Sequence, residues 1–301
     1  MLKKRPIIYF FYVVLGVTFF LWLIFGLTAI INHSLGLGDR SLVFVNILPS
    51  LVGACVIIFA LSAATPLISD FLVTLRRLLR YDNLSNPILL KLSLNAPGTY
   101  HHSINVSNLA HKAAKAIGAN SLLARVGAYY HDIGKLENPE FFIENQTQGD
   151  AFGNDISPQK SASIIISHVE KGLKLAKANN VTDDICDLIA QHHGTTLVNY
   201  FFKSASQVDR KTLREDYRYP GPKPHSKEAG ILMIADCAEA AIRSLPSVHE
   251  SDIEKTVTQI ILDKIDENQL DSSGLTEREL KTIKTSMIET LNVIYHRRIV
   301  R

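Results

Sequence analysis

Two long stretches of the chain contain no charged residue, Ile7 to Ile31 and Leu42 to Ser69. A helix needs roughly 20 such residues to cross a bilayer, so both runs predict transmembrane helices. A buried hairpin within a soluble domain is the alternative. The first run is too long for a signal-peptide core and has no convincing small-residue cleavage site. After Ser69 the pattern becomes amphipathic. Asp70 to Tyr81 continues the second run with Phe71, Leu75, Leu78 and Leu79 on one side, and Pro87 opens a short apolar helix that ends at Ala96-Pro97-Gly98.

From His102 onward apolar positions recur with a helical period. His102, Val106, Leu109 and Ala113 share a face, and Gly118 ends that segment. Leu122, Leu123, Val126, Tyr130 and Ile133 form the next face, which delivers His131-Asp132, and Gly134 is read as the stop. Glu137 to Asp155 is a polar, aromatic-dotted connection, long enough to suggest a functional loop. Ser157-Pro158 starts a helix carrying Ile164, Ile165 and His168. Thr182 starts another, whose Ile185, Leu188 and Ile189 lead to His192-His193, with Gly194 as terminator. Tyr200 to Lys227 breaks the helical pattern, mixing aromatic and basic residues around Pro220-Gly221-Pro222-Lys223-Pro224. Helical spacing resumes at Ile231, Ala235, Ala238 and Ile242, and Asp236, Glu239 and Arg243 form a polar stripe beside it. Ser251-x-x-Glu254 and Thr276-x-x-Glu279 predict capping boxes for two final helices. No segment alternates with a strand period. The expected fold is all-α: a transmembrane region over residues 1–75, with spans at about 7–31 and 42–69, then a cytosolic helical bundle over 76–301.

Charge supplies the orientation. Lys3, Lys4 and Arg5 precede the first run and Arg76, Arg77 and Arg80 follow the second, while the connection between them carries only Asp39 and Arg40. By the positive-inside rule both termini are cytoplasmic and the lipid bilayer is a partner. A formal net charge of +3 over 301 residues is too small to indicate a DNA or RNA polymer as a ligand. Cys55, Cys186 and Cys237 are isolated in apolar contexts, so packing rather than a disulfide or thiolate metal site accounts for them. The pattern leaves a homo-oligomer open.

The candidate chemistry lies in His102, His131, Asp132, His168, His192, His193 and Asp236. A lone histidine on an apolar helix face is more often a satisfied core residue than a ligand. So many imidazoles and carboxylates on apolar faces would be left unpaired without a cation. Nitrogen and oxygen donors without sulfur favour iron or manganese over a structural zinc. The set is too large for one ion and suits two divalent ions, with Asp132 bridging them. Two ions about 3.5–4 Å apart clamp a phosphoryl oxygen during in-line displacement and activate a water. Lys135 and Arg243 are placed to neutralise phosphate charge, the alternative being solvated surface bases. Tyr217, Arg218 and Lys223 are candidates to stack a base and hold a phosphate, unless their segment is a plain connecting loop.

These residues follow the layout of the HD-domain metal-dependent phosphohydrolases. Longer stretches resemble the membrane-anchored PgpH-type cyclic-di-AMP phosphodiesterases within that superfamily. They are Ala96-Pro97-Gly98-Thr99-Tyr100-His101-His102-Ser103, Arg125-Val126-Gly127-Ala128-Tyr129-Tyr130-His131-Asp132, His192-His193-Gly194-Thr195-Thr196 and Tyr217 through Pro224. The resemblance implies hydrolysis of cyclic di-AMP to linear pApA by a di-metal centre, iron or manganese being usual. It also implies that His102, His131, Asp132 and Asp236 hold one ion and Asp132, His168, His192 and His193 the other, His102 rather than His101 being the ligand. Relatives that cleave cyclic di-GMP carry a Gly-Tyr-Pro signature after the histidine pair. Gly194-Thr195-Thr196 stands there in this chain and argues against that substrate. Family members usually have a large extracytoplasmic domain and about seven spans, so a chain with two reads as a truncated form or a fragment. The competing functions are an HD-domain hydrolase of another nucleotide and a non-catalytic nucleotide-sensing membrane receptor.

Overall fold

Helices follow the apolar runs closely in the computed structural model, which describes residues 5–36, 40–146 and 156–296. The chain divides into two units, Met1–Arg77 and Leu78–Arg301. The first contains α1 (Arg5–Ser34) and most of α2 (Arg40–Tyr81), whose final turn belongs to the second unit. Among the described residues no helix is long and apolar enough to cross a membrane. Many side chains of the two uncharged runs lie outside the described set, as do Lys3, Lys4 and Asp39.

In the second unit, polar caps set the helix boundaries. Asn86 accepts from the Ile88 amide and Pro87 occupies the first position of α3 (Pro87–Asn95). Pro97 then starts α4 (Pro97–Ala116), so this helix begins well before His102. Asn120 caps α5 (Ser121–Tyr130) through the Leu123 amide, and Ser157 caps α6 (Pro158–Ala178) through that of Lys160. Then come α7 (Asp183–Gln191), α8 (Asn199–Val208) and α9 (Lys227–Arg243), the last capped by Ser226. The chain continues through α10 (Glu250–Asp266) and α11 (Glu277–His296). The described residues contain no strand, only an isolated antiparallel bridge between Leu197 and Arg218.

Helix α4 packs against α5, α9 and α11, and α9 is buried along most of its length. Val106, Leu109, Ile231, Ile234, Ile253, Ile283 and Met287 form one apolar cluster around this pair. A second joins Leu78 and Tyr81 at the end of α2 to Leu89, Leu92, Tyr130, Ile185 and Ile189. Each fully buried Leu or Ile contributes about 1.5–3 kcal/mol, so the two clusters hold α4, α5, α7 and α9 in fixed mutual positions.

Three local expectations need correction. Gly134 does not terminate α5, which ends at Tyr130; it lies inside a 3-10 turn, Ile133–Glu137. A Cβ on Gly134 would come within 1.9 Å of the His168 carbonyl oxygen, so the residue permits backbone contact with α6. Second, Asn199–Val208 is helical although its sequence lacked a clear period. Phe201, Phe202 and Ala205 turn one face toward Ala162, Leu197 and Tyr217, and tertiary burial overrides the weak pattern. Third, α10 is capped by His249 with Asp252 rather than by Ser251 with Glu254. The Thr276–Glu279 box does form at the start of α11. The long connection contains two short 3-10 turns, Pro139–Phe141 and Ile143–Asn145, and its residues 147–155 lie outside the described set.

Candidate metal centre

Five helices deliver the clustered side chains. His102 comes from the second turn of α4, His131 and Asp132 from the exit of α5, and His168 from the middle of α6. His192 and His193 follow the last residue of α7, and Asp236 sits midway along α9. Gly194 has φ +53°, which lets the chain turn away just after the histidine pair. All these side chains are buried except His193, which is 20% exposed.

Their donor atoms form two groups, Asp132 with His168, His192 and His193, and His102 with His131 and Asp236; within each, the atoms lie within 4.8 Å of one another. Asp132 faces both. Its Oδ1 lies 3.3 Å from His168 Nε2 and 3.8 Å from His192 Nε2, while Oδ2 lies 3.2 Å from His131 Nε2 and 3.7 Å from His102 Nε2. Asp236 Oδ1 is 3.0 Å from His102 Nε2, and its Oδ2 is 3.6 Å from His193 Nδ1.

Hydrogen bonds orient the rings. The Nδ1 atoms of His131, His168 and His192 lie 2.8, 2.6 and 2.7 Å from the carbonyl oxygens of Ala128, Ile165 and Ile189. A carbonyl only accepts, so each Nδ1 donates and each Nε2 turns inward toward the cluster, those of His168 and His192 meeting at 3.2 Å. His102 Nδ1 instead meets the Glu239 carboxylate at 2.5 Å. His193 stacks on Tyr219 with ring centroids 4.2 Å apart.

His131 Nε2 and Asp132 Oδ1 are buried without a hydrogen-bond partner, and Asp132 Oδ2 is met by the Lys135 ammonium 2.7 Å away. Orphaned polar atoms of this kind cost several kcal/mol in a low-dielectric interior, and they are the atoms a cation would coordinate. The donor chemistry and its orientation fit divalent metal.

The protonation preferences point the same way. Burial opposes a proton on His131, but Asp132 and Asp236 outweigh it and raise its pKa to about 10. His102 is raised too, burial being overcome by Asp236 and Glu239. Burial alone would raise Asp132, yet His131 and Lys135 hold it well below the usual carboxylate range. Burial and the neighbouring His131 and His168 depress His192 to about 3. The carboxylates are biased toward the ionised form and the imidazoles divide, His131 and His102 drawn toward a proton by the same carboxylates that would attract a cation, and His192 pushed away from one.

A cavity of about 540 Å³ opens over this cluster, walled by Lys135, Phe142, Glu144, His168, Tyr219 and Arg243 among others. Arg243 thus reaches the cavity as its spacing from Asp236 suggested. The structure does not bring Tyr217, Arg218 or Lys223 there. Tyr217 packs against Phe202, the Arg218 guanidinium donates to the Thr195 carbonyl, and Lys223 Nζ donates to that of Asn268.

A family model described as the HD domain matches residues 99–241. The crystal structure of the Listeria monocytogenes phosphodiesterase PgpH HD domain in complex with cyclic-di-AMP is 44% identical to this chain. It superposes with a TM-score of 0.69, covering 71% of this chain and all of that one. The chain belongs to the PgpH HD-domain family. The cyclic-di-AMP phosphodiesterase PgpH of Bacillus subtilis (strain 168) is 46% identical over 223 residues, covering 74% of this chain and 31% of that protein. The Listeria monocytogenes PgpH (strain 10403S) is 44% identical over 228 residues, covering 76% and 32%. The chain therefore spans about a third of the length of these relatives.

Within this PgpH-type domain, sequence reasoning overlooked Glu144, Glu239 and Tyr219 as parts of the site. Glu144 Oε1 is 2.7 Å from Lys135 Nζ and accepts a hydrogen bond from the Thr99 hydroxyl, fastening the connecting segment over the cluster. The Phe142 ring lies 4.9 Å from Lys135 Nζ. Glu144 and Tyr219 carry no periodic signal, because loop geometry alone brings them in. Glu239 could have been found, since it falls one turn after Asp236 on the same polar stripe.

Proposed function

We propose that this chain is a membrane-anchored, metal-dependent phosphodiesterase that hydrolyses cyclic di-AMP to pApA and so lowers the level of that second messenger. The observation that carries this reading is Asp132, whose two oxygens face two separate groups of donors. The PgpH relatives, named as cyclic-di-AMP phosphodiesterases, and the solved HD domain in complex with cyclic-di-AMP support the substrate.

His102, His131, Asp132 and Asp236 would hold one divalent ion, and Asp132, His168, His192 and His193 the other, iron or manganese being favoured by donors without sulfur. Such a pair lowers the pKa of water toward neutrality and draws negative charge from a phosphodiester. The protein's own residues do the rest. Arg243, 31% exposed, is paired through Nε with Glu239 and lines the cavity, where the rest of its guanidinium can meet a phosphate oxygen. Lys135 is anchored between Asp132 and Glu144 and keeps positive charge at the cavity wall. Tyr219, stacked on His193, and Phe142 give that wall aromatic surfaces of the kind that nucleobases pack on.

Residues 1–75 would form the membrane region and 76–301 the cytosolic catalytic domain. The uncharged runs support this, as do the large apolar side chains exposed on α1 and α2, among them Phe20, Trp22, Ile30 and Phe59. The basic residues flanking both runs support cytoplasmic termini.

The decisive experiment incubates the purified chain with cyclic di-AMP and manganese and follows pApA by chromatography. No turnover with any divalent metal would sink the proposal. Faster turnover of guanosine tetraphosphate or a deoxynucleoside triphosphate would assign the chain another substrate.

A further inference from the structure

Glu239 is wholly buried, and four side chains converge on it. Its Oε2 lies 2.5 Å from His102 Nδ1 and 3.3 Å from Arg243 Nε. Its Oε1 accepts from Asn105 Nδ2 and from the Tyr295 hydroxyl, both at 3.1 Å. Asn105 shares α4 with His102, Arg243 shares α9 with Glu239, and Tyr295 belongs to the last turn of α11. One carboxylate therefore joins three helices behind a histidine whose other nitrogen faces the metal-facing oxygens of Asp236 and Asp132.

Among His102, His131, His168 and His192, the last three use a nearby main-chain carbonyl for Nδ1. His102 uses a charged group from another helix. A carboxylate behind an imidazole fixes its tautomer and ring direction and strengthens the opposite nitrogen as a donor. Whether that carboxylate points correctly depends on its other oxygen, which Tyr295 and Asn105 hold.

We infer that Glu239 is a positioning residue: held by Tyr295 of the C-terminal helix, it aims His102 at its metal and makes the occupancy of that one position depend on the docking of α11. The inference rests on the proposed two-metal reading and gives the two positions different sensitivities. The group formed by Asp132, His168, His192 and His193 meets that network only at Asp132 and His193, while His168 and His192 are held by main-chain carbonyls of their own helices. Arg243 makes an ion pair with the same carboxylate oxygen as His102, so Glu239 also restrains the arginine that faces the cavity.

The test is calorimetric titration of manganese into the metal-free full-length chain in detergent, with elemental analysis after desalting. Glu239→Gln keeps the shape and removes the charge. It is expected to weaken one of two ions by about 10–100-fold and leave the other unchanged, so that metal retained after desalting falls from two ions per chain toward one. Tyr295→Phe deletes a single hydroxyl and is expected to weaken the same ion severalfold. Glu289→Gln, on the exposed side of α11, should bind as the unmodified chain does. If Glu239→Gln does not fold, Tyr295→Phe alone decides. Unchanged affinities in Tyr295→Phe and in folded Glu239→Gln overturn the inference, as does equal weakening of both ions. An unmodified chain that binds fewer than two ions overturns instead the two-metal reading beneath it.

Discussion

At the residue scale the centre turns on Asp132, whose Oδ2 faces His131 and His102 while its Oδ1 faces His168 and His192, two histidines of each donor group. Asp132→Ala is expected to abolish metal retention at both positions together with turnover. Full metal content in that variant would contradict a shared carboxylate. The protonation pattern predicts how the metal-free protein responds to pH. His131 has its pKa raised to about 10 from an ordinary value near 6.5, so the stability it contributes is complete below about 6.5 and is lost as pH rises toward 10. His192 is depressed to about 3, so its burial costs stability progressively as pH falls below about 6.5. Thermal melts of chelator-treated protein should therefore be highest near neutrality and fall on both sides. Saturating metal should flatten the alkaline side, because an imidazole coordinated through Nε2 carries no titrating proton there. An alkaline limb equally steep with and without metal would contradict this.

Contacts between elements set how closely the donor groups approach. Gly134 and Gly172 let the turn after Asp132 lie directly on α6, which carries His168. Gly134→Ala would place its Cβ 1.9 Å from the His168 carbonyl oxygen, a clash only backbone movement relieves. Overpacking of this kind costs about 1–3 kcal/mol, so denaturant unfolding should shift by that amount, with weaker metal binding at the group containing His168. Helix α8 shows how local pattern can fail. Asn199–Val208 reads as an irregular aromatic and basic stretch, yet Phe201, Phe202 and Ala205 need only one partner surface to become a helix face, and Tyr217 with Leu197 supplies it. The same packing explains why Tyr217 is absent from the cavity while Tyr219, two residues on, stacks on His193. Tyr217 closes a 3-10 turn, Arg214–Tyr217, whereas Tyr219 lies beyond it, past the bridge between Leu197 and Arg218, so the two rings do not share the strand-like face that a spacing of two would give them.

For the whole molecule, the apolar clusters and the donor groups all lie within Leu78–Arg301. This unit expressed alone is expected to fold, to bind metal as the full chain does, and to stay soluble. The full chain should remain with membranes through an alkaline wash; recovery of the full chain in the supernatant would refute the anchoring. The sequence by itself determined the helical class and the identity of the donors, because period, caps and ligand chemistry are local properties written residue by residue. It also put Asp132, beside His131 at the end of an apolar face, forward as the carboxylate to share. Only the tertiary structure decided what stands behind and above those donors: Glu239 and Tyr295 supporting His102, Glu144 pinning Lys135, and Tyr219 rather than Tyr217 at the cavity. These partners are 9 to 137 residues apart in the chain. Their meeting depends on how helices pack and where loops cross, which no local period encodes.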